Sequence, residues 1–282
     1  MQKKKDSLPD IQRTKDRRGI SINRVGVENI DFPLLIATKD KREVLVYAKV
    51  DLFSSLKHGV KGTNMSRFIE TLMKYRYDVM NKENLEHFLR ALKKKLGNVK
   101  DVYTRINFKY FIKKTSPISK KESVMSYDCT FECKLSKRFH FKLKTKVLTT
   151  SNCPCSKEIS KYGAHGQRSR STVTVEPMKG TKVWIEDIIE IVENAGSCEV
   201  YPLLKRTDEK YVTEKAYMNP KFVEDTARDI AVALQQLKTI RWFRVKVCNE
   251  ESIHPHDAVC YVERHKKGKR WRKYSGSLRK IT

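Results

Sequence analysis

Apolar residues recur along this chain in two rhythms, every second residue and every third or fourth. The order in which these rhythms alternate most constrains the fold. Residues 22–27 and the stretch from Leu34 to Leu52 read as strands, the second broken by a hairpin turn at Lys39-Asp40-Lys41. Met65, Phe68, Ile69, Leu72 and Met73 then fall at helical spacing, and a second helix carries Leu85, Phe88, Leu89, Leu92 and Leu96 before Gly97 stops it. Val102, Thr104, Ile106, Phe108 and Tyr110 return to period two, followed by Met125, Tyr127, Cys129, Phe131 and Cys133. The second half runs through the same order. Phe139, Phe141, Leu143, Thr145 and Val147 alternate, and Val173 and Val175 mark a short strand. A helix with Trp184, Ile185, Ile188, Ile189, Val192 and Ala195 closes at Gly196, and a longer one is predicted to open at Asn219-Pro220. Strands near 241–248 and 258–264 finish the pattern. Both halves thus read strand–strand–helix–helix–strand–strand, the signature of α+β modules with antiparallel sheets and helices on one face.

Charge bears on partners rather than on fold. The 282 residues hold 60 Lys and Arg against 33 Asp and Glu, a net charge of +27, but residues 1–18 and 265–282 supply 12 of those units. The rest is spread thinly, which fits a polyanionic ligand as small as a nucleoside triphosphate. The lysine-rich strand faces read as solvated sheet surface and the two basic ends as mobile. No stretch has the length and apolarity of a membrane span, and the amino terminus lacks an apolar signal segment, so a cytoplasmic location is expected. Seven cysteines without any CxxC pair argue against a disulfide framework and against a four-thiolate zinc site.

Three segments carry residues suited to chemistry. The first, 151–169, is polar and reads as one long loop with Cys153, Cys155 and His165; Lys157 and Lys161 nearby favour the thiolate, the form that binds metals and attacks electrophiles. The second, 250–257, gathers Glu250, Glu251, His254, His256 and Asp257 between two strands. The third runs from Ser197 through Glu199 to Glu214. Cysteine, histidine and glutamate in separated loops are the ingredients of a mononuclear site for Zn²⁺, Fe²⁺ or Mn²⁺.

At these residues the chain resembles the type IB GTP cyclohydrolase I family. The resemblance rests on LPDIQ at 8–12, RVGV at 24–27, KGTNMSRF at 61–68, CPCSKEIS at 153–160, AHGQRS at 164–169, YPLLKRTDEKYVTEKAYMNPKFVED at 201–225 and ESIHPHDA at 251–258, ordered along nearly the whole chain. It implies a tunnelling fold with two tandem modules, here 19–136 and 137–264, between a basic N-terminal segment 1–18 and a basic tail 265–282. It also implies a homotetramer with sites at subunit interfaces. The implied reaction opens the imidazole ring of GTP at C8 and yields formate and 7,8-dihydroneopterin triphosphate, the first step towards tetrahydrofolate.

Carried over by position, the resemblance puts one divalent metal on Cys153, His165, Glu199 and His254, with His256 as the alternative to His254. Cys153, His165, His254, His256 and Glu251 are the catalytic candidates. Glu214 is the purine anchor, and Lys61, Arg67, Lys157, Lys161, Gln167, Arg168, Lys205 and Arg206 are the other substrate-binding candidates. A carboxylate at 214 can accept from guanine N1–H and the 2-amino group together, which adenine cannot satisfy. Asn64 and Gly166 depart from the family's KGTHMSRF and AHNQRS. The alternatives are a relative that forms a cyclic phosphate, the nitrile reductase of queuosine synthesis, and a nucleic-acid-binding module built on the basic, aromatic segment 265–274. Neither an obligate nucleic acid nor a membrane is expected as a partner.

Overall fold

Long strands dominate the computed structural model, which describes residues 11–97, 99–268 and 270–273. The first ten residues and 274–282, and with them parts of both basic segments and the start of LPDIQ, lie outside the described residues. In chain order the elements are β1 (Ile22–Ala37), β2 (Glu43–Leu56), α1 (Ser66–Lys74), α2 (Lys82–Leu96), β3 (Val102–Thr115), β4 (Glu122–Leu135), β5 (Phe139–Asn152), α3 (Pro154–Ile159), β6 (Gly166–Pro177), α4 (Ile185–Ala195), β7 (Cys198–Glu199), α5 (Arg206–Met218), α6 (Val223–Gln236), β8 (Ile240–Glu250), β9 (Ala258–Lys267) and β10 (Arg270–Lys273). Among the described residues the strands hydrogen-bond in the order β1-β2-β3-β4-β5-β6-β8-β9-β10, with β7 on β5. The result is the expected α+β class, an antiparallel sheet with helices. No helix among the described residues is long and apolar enough to cross a membrane.

The chain divides into two units. One comprises Met1–Ala37, Glu43–Asn107 and Glu132–Phe141. In it β1 and β2 pair from Ile22↔Leu56 to Ala37↔Glu43, so the two expected strands at 22–27 and from Leu34 are one strand. A register shift between Val27 and Ile30 absorbs the break in alternation, with Asn29 at φ 59°. Helix α2 forms where predicted. Asn81 caps it by accepting from the Asn84 amide at 2.8 Å, Gly97 ends it at φ 84°, and Leu85, Phe88, Leu89, Leu92 and Leu96 are buried. Each such side chain contributes roughly 1.5–3 kcal/mol. In α1 only Phe68, Thr71 and Leu72 are buried, and Met65, Ile69 and Met73 are exposed, so the apolar face read there is wider than the face that packs.

The other unit comprises Thr38–Arg42, Phe108–Phe131 and Lys142–Thr282. Here β5 and β6 pair from Leu143↔Val175 to Asn152↔Gly166, and β6 pairs with β8 up to Arg168↔Glu250. The segment expected as one loop, 151–169, is therefore mostly regular: it is the end of β5, the short helix α3 and the start of β6. Helices α4 and α6 follow the predicted apolar spacing and bury Ile188, Ile189 and Val192, and Ala227, Ile230 and Leu234. The start of α6 is displaced, however. Phe222 precedes its first turn, and Asn219 instead caps the carboxyl end of α5, donating its side-chain amide to the carbonyls of Gly196 and Ser197 at 3.1 and 3.2 Å. The helix α5 itself was not predicted, nor was β10, which pairs with β9 across Gly268. Trp271 on β10 packs against Phe243 and donates to the Gln235 carbonyl at 3.1 Å. The described part of the basic tail is thus paired sheet with an engaged aromatic, not the mobile end that its charge suggests.

Candidate functional site

The end of the β5–β6 pair carries most of the reactive groups. Cys153 stands just outside α3, with Pro154 pre-set for the first helical position. Its Sγ accepts from the Ser156 amide at 3.5 Å, and its own amide donates to the His165 carbonyl at 3.1 Å. Ser156 closes the arrangement, its hydroxyl donating to the Cys153 carbonyl at 3.2 Å and accepting from the His165 amide at 3.2 Å. The two residues expected to share one loop are therefore fastened to each other by backbone.

The β8–β9 connection is tied to the same end. Ser252 Oγ lies 3.2 Å from His165 Nδ1, and Gln167 Nε2 donates to Glu251 Oε1 at 3.0 Å. His254 and His256 follow on the exposed loop, their rings stacked at 5.2 Å. The candidates Cys153, His165, Gln167 and Glu251 are thus linked by hydrogen bonds, with His254 two residues beyond Ser252.

Glu199 is placed differently. It lies on β7, opposite Thr149 on β5, and is paired with the buried Lys114 and, at 3.7 Å, with Lys215. Lys114 also bonds Glu193 at 2.6 Å, and Tyr127 donates to that carboxylate at 2.7 Å. Burial alone pushes the Glu199 carboxyl up. The hydrogen bonds from Lys114 and Tyr201 and the charges of Lys114 and Lys215 outweigh burial and hold it below its ordinary value. The expected convergence of four metal donors is incomplete within the chain: among the described residues no group of three or more His, Cys, Asp or Glu is arranged to hold a metal ion. The donor set suits a divalent ion in its chemistry. Cys153 and His165 are held together by backbone, whereas Glu199 is paired with Lys114 and Lys215.

Beside His165 opens a cavity of about 500 Å³, within the range of small-molecule sites. Asn152, Tyr162 and His165 line one part of it and Thr213, Glu214 and Tyr217 of α5 another. Glu214, reached from sequence only through resemblance, therefore shares a cavity with His165. Thr213 and Tyr217 were missed, although their spacing around Glu214 is that of one helical face. Gly166 bears on the same wall: a Cβ there would lie 2.9 Å from Asn152 Oδ1, so glycine leaves the Asn152 side chain its place.

The cationic candidates separate. Lys157 is engaged by α5, its ammonium 2.6 Å from the Tyr217 carbonyl and 4.3 Å from the centre of that ring. Lys161 and Arg168 are exposed, as are Lys205 and Arg206 at the start of α5. Lys61 and Arg67 belong to the other unit, where Arg67 donates to the Lys95 carbonyl at 3.4 Å and Asn64 accepts from the Arg67 amide at 3.2 Å.

Comparison with known proteins identifies the family. Residues 8–260 match the family model described as type I GTP cyclohydrolase folE2. The chain is 48% identical over 261 residues to the GTP cyclohydrolase FolE2 of Citrifermentans bemidjiense, covering 93% of this chain and 96% of that one. It is 46% identical over 260 residues to the FolE2 of Geobacter sulfurreducens, covering 92% and 99%. The uricase from Arthrobacter globiformis shares the fold, with a TM-score of 0.52 at 10% identity over 88% of this chain and 95% of that chain. On the length and identity of these matches, the chain belongs to the type I GTP cyclohydrolase folE2 family of enzymes.

Proposed function

We propose that this enzyme converts GTP and water to 7,8-dihydroneopterin triphosphate and formate by the type IB route, at the head of tetrahydrofolate synthesis. The observation that carries the reading is the shared cavity of Glu214 and His165, with Cys153 bonded through its backbone to His165. Glu214 accepts from guanine N1–H and the 2-amino group, a bidentate pairing that turns the purine to present its imidazole side and excludes adenine. Ser252 holds the His165 ring through Nδ1 and leaves Nε2 to serve the reaction. Whichever of His254 and His256 does not hold the metal stands on the adjoining loop to move protons as the ring opens.

A divalent ion, Zn²⁺, Mn²⁺ or Fe²⁺, is part of the proposal. Cys153, His165, Glu199 and His254 would hold it, and when bound it would supply the acidity that lets water attack C8 at neutral pH. Glu199 must exchange its lysine partners to join that set. The reading extends to a tunnelling fold of two tandem modules and to a homotetramer with sites at subunit interfaces. Support comes from the sheet-and-helix architecture shared with uricase and from the family match.

The test is formate release from GTP by metal-depleted enzyme to which each ion is returned in turn. Formate should appear with at least one ion, the product should retain a linear triphosphate, and Cys153→Ala should reduce release to background with every ion. An untouched nucleotide in all additions would overturn the assignment, and a cyclic phosphate product would replace it with the alternative reaction.

A further inference from the structure

The helix that carries Glu214 has almost no apolar anchorage. Of the thirteen residues of α5 only Asp208 and Ala216 are buried, while Tyr211, Tyr217 and Met218 are exposed. Hydrophobic packing therefore cannot fix where this helix sits. Its ends are held by polar groups instead. At the carboxyl end the Lys157 ammonium meets the Tyr217 carbonyl at 2.6 Å and the Asn219 side chain reaches the carbonyls of Gly196 and Ser197.

At the amino end one side chain does the holding. Asp208 is fully buried and accepts four hydrogen bonds: from the amides of Ile118 and Ser119 at 2.8 Å each, from the Ser119 hydroxyl at 2.6 Å, and from the Lys205 amide at 2.8 Å. Three of these come from the turn between β3 and β4, and the fourth closes the first turn of α5 itself. Lys120, next in that turn, adopts φ 57°, which keeps the turn tight enough to present two successive amides to one carboxylate.

We propose that Asp208 is a positioning residue for guanine recognition: by bonding the β3–β4 turn to the first turn of α5, it sets where the Glu214 carboxylate stands in the cavity. The proposal rests on Glu214 as the guanine anchor. Glu214 lies six residues further along, about 9 Å down the helix axis, so a 10° tilt pivoting at Asp208 displaces its backbone by about 1.5 Å. A displacement of that size takes the carboxylate out of hydrogen-bond geometry with the guanine edge, and the loss shows as weaker discrimination between nucleotides.

The experiment compares GTP with inosine triphosphate, which lacks the 2-amino group, in the metal-loaded full chain carrying Asp208→Asn, Ser119→Ala or Glu214→Gln, with thermal melting of each. Asp208→Asn should raise KM for GTP by about tenfold or more and KM for inosine triphosphate less, so that the preference for guanine shrinks. Ser119→Ala, which removes one of the four bonds, should shift the preference in the same direction by less, and it decides the matter if Asp208→Asn does not fold. A folded Asp208→Asn with unaltered preference, or with kcat lowered equally on both nucleotides, would overturn the proposal. An unaltered preference in Glu214→Gln would overturn the guanine-anchor reading itself, separately from the behaviour of Asp208.

Discussion

Helices α5 and α6 follow one another in the chain, are nearly equal in length and are held by opposite means. The second buries Val223, Ala227, Ile230, Ala231 and Leu234, with Thr226 among them; the first buries one carboxylate and one methyl group. An apolar face binds a helix through many small contacts that tolerate sliding and repacking, whereas four hydrogen bonds to a single buried side chain define one position. On the proposed role of Glu214, stability and recognition are divided between these two consecutive helices. The helix facing the cavity is placed by direction-dependent bonds, and the helix beside it supplies cohesion.

The comparison breaks most visibly at Leu234, which is fully buried in α6. Leu234→Ala should cost about 2–5 kcal/mol of unfolding free energy in denaturant titration, yet leave KM for GTP close to wild type wherever the protein is folded. A KM that rises in parallel with the loss of stability would show that the two helices do not divide the work.

Acid sharpens the comparison with a smaller effect. Burial alone raises the Asp208 carboxyl, but the hydrogen bonds from Ser119, Lys205 and Ile118 prevail and hold it well below the ordinary carboxylate range. Because the folded pKa is depressed, its stabilisation is fully present above an unfolded value of about 4 and is lost as pH falls towards the folded value. The melting difference between wild type and Asp208→Asn should therefore be widest near neutrality and narrow below about pH 4. A difference that stays constant from pH 7 to pH 3 contradicts this account.

The smallest effect belongs to Lys210, whose ammonium lies 3.5 Å from Glu214 one helical turn away, both side chains mostly exposed. Lys210→Ala should change unfolding free energy by less than about 0.5 kcal/mol, as exposed pairs do. A loss several times larger would mean that surface charge, and not the buried carboxylate, keeps α5 in place.

The same contrast explains what the sequence reveals. Helices α2, α4 and α6 and the inward faces of β3 and β5 are legible because a periodic apolar pattern is the record of burial. Helix α5 leaves no such record, since its inward positions are Asp208 and Ala216. Asn219-Pro220 reads as a helix start because asparagine serves both ends of helices, and only the bonds from Asn219 to Gly196 and Ser197 assign it to the end of α5. At the site, Cys153 and His165 are close in sequence and close in space. Lys114, which holds Glu199, lies 85 residues away from it, and Ile118 and Ser119 are about as distant from Asp208. Contacts of that span come from the packing of separate elements, which the periodicity of either segment alone does not record.

The backbone ahead of β7 adds a constraint of another kind. At Gly196 an added methyl group would fall 2.6 Å from both Cβ and Oγ1 of Thr149, inside any tolerable approach. Even alanine there would act as a wedge, prising this segment off the strand beneath and carrying with it the two carbonyls on which the end of α5 is moored. Damage at Gly196 would thus be mechanical in origin: every reactive group would survive, but the wall bearing some of them would stand in the wrong place.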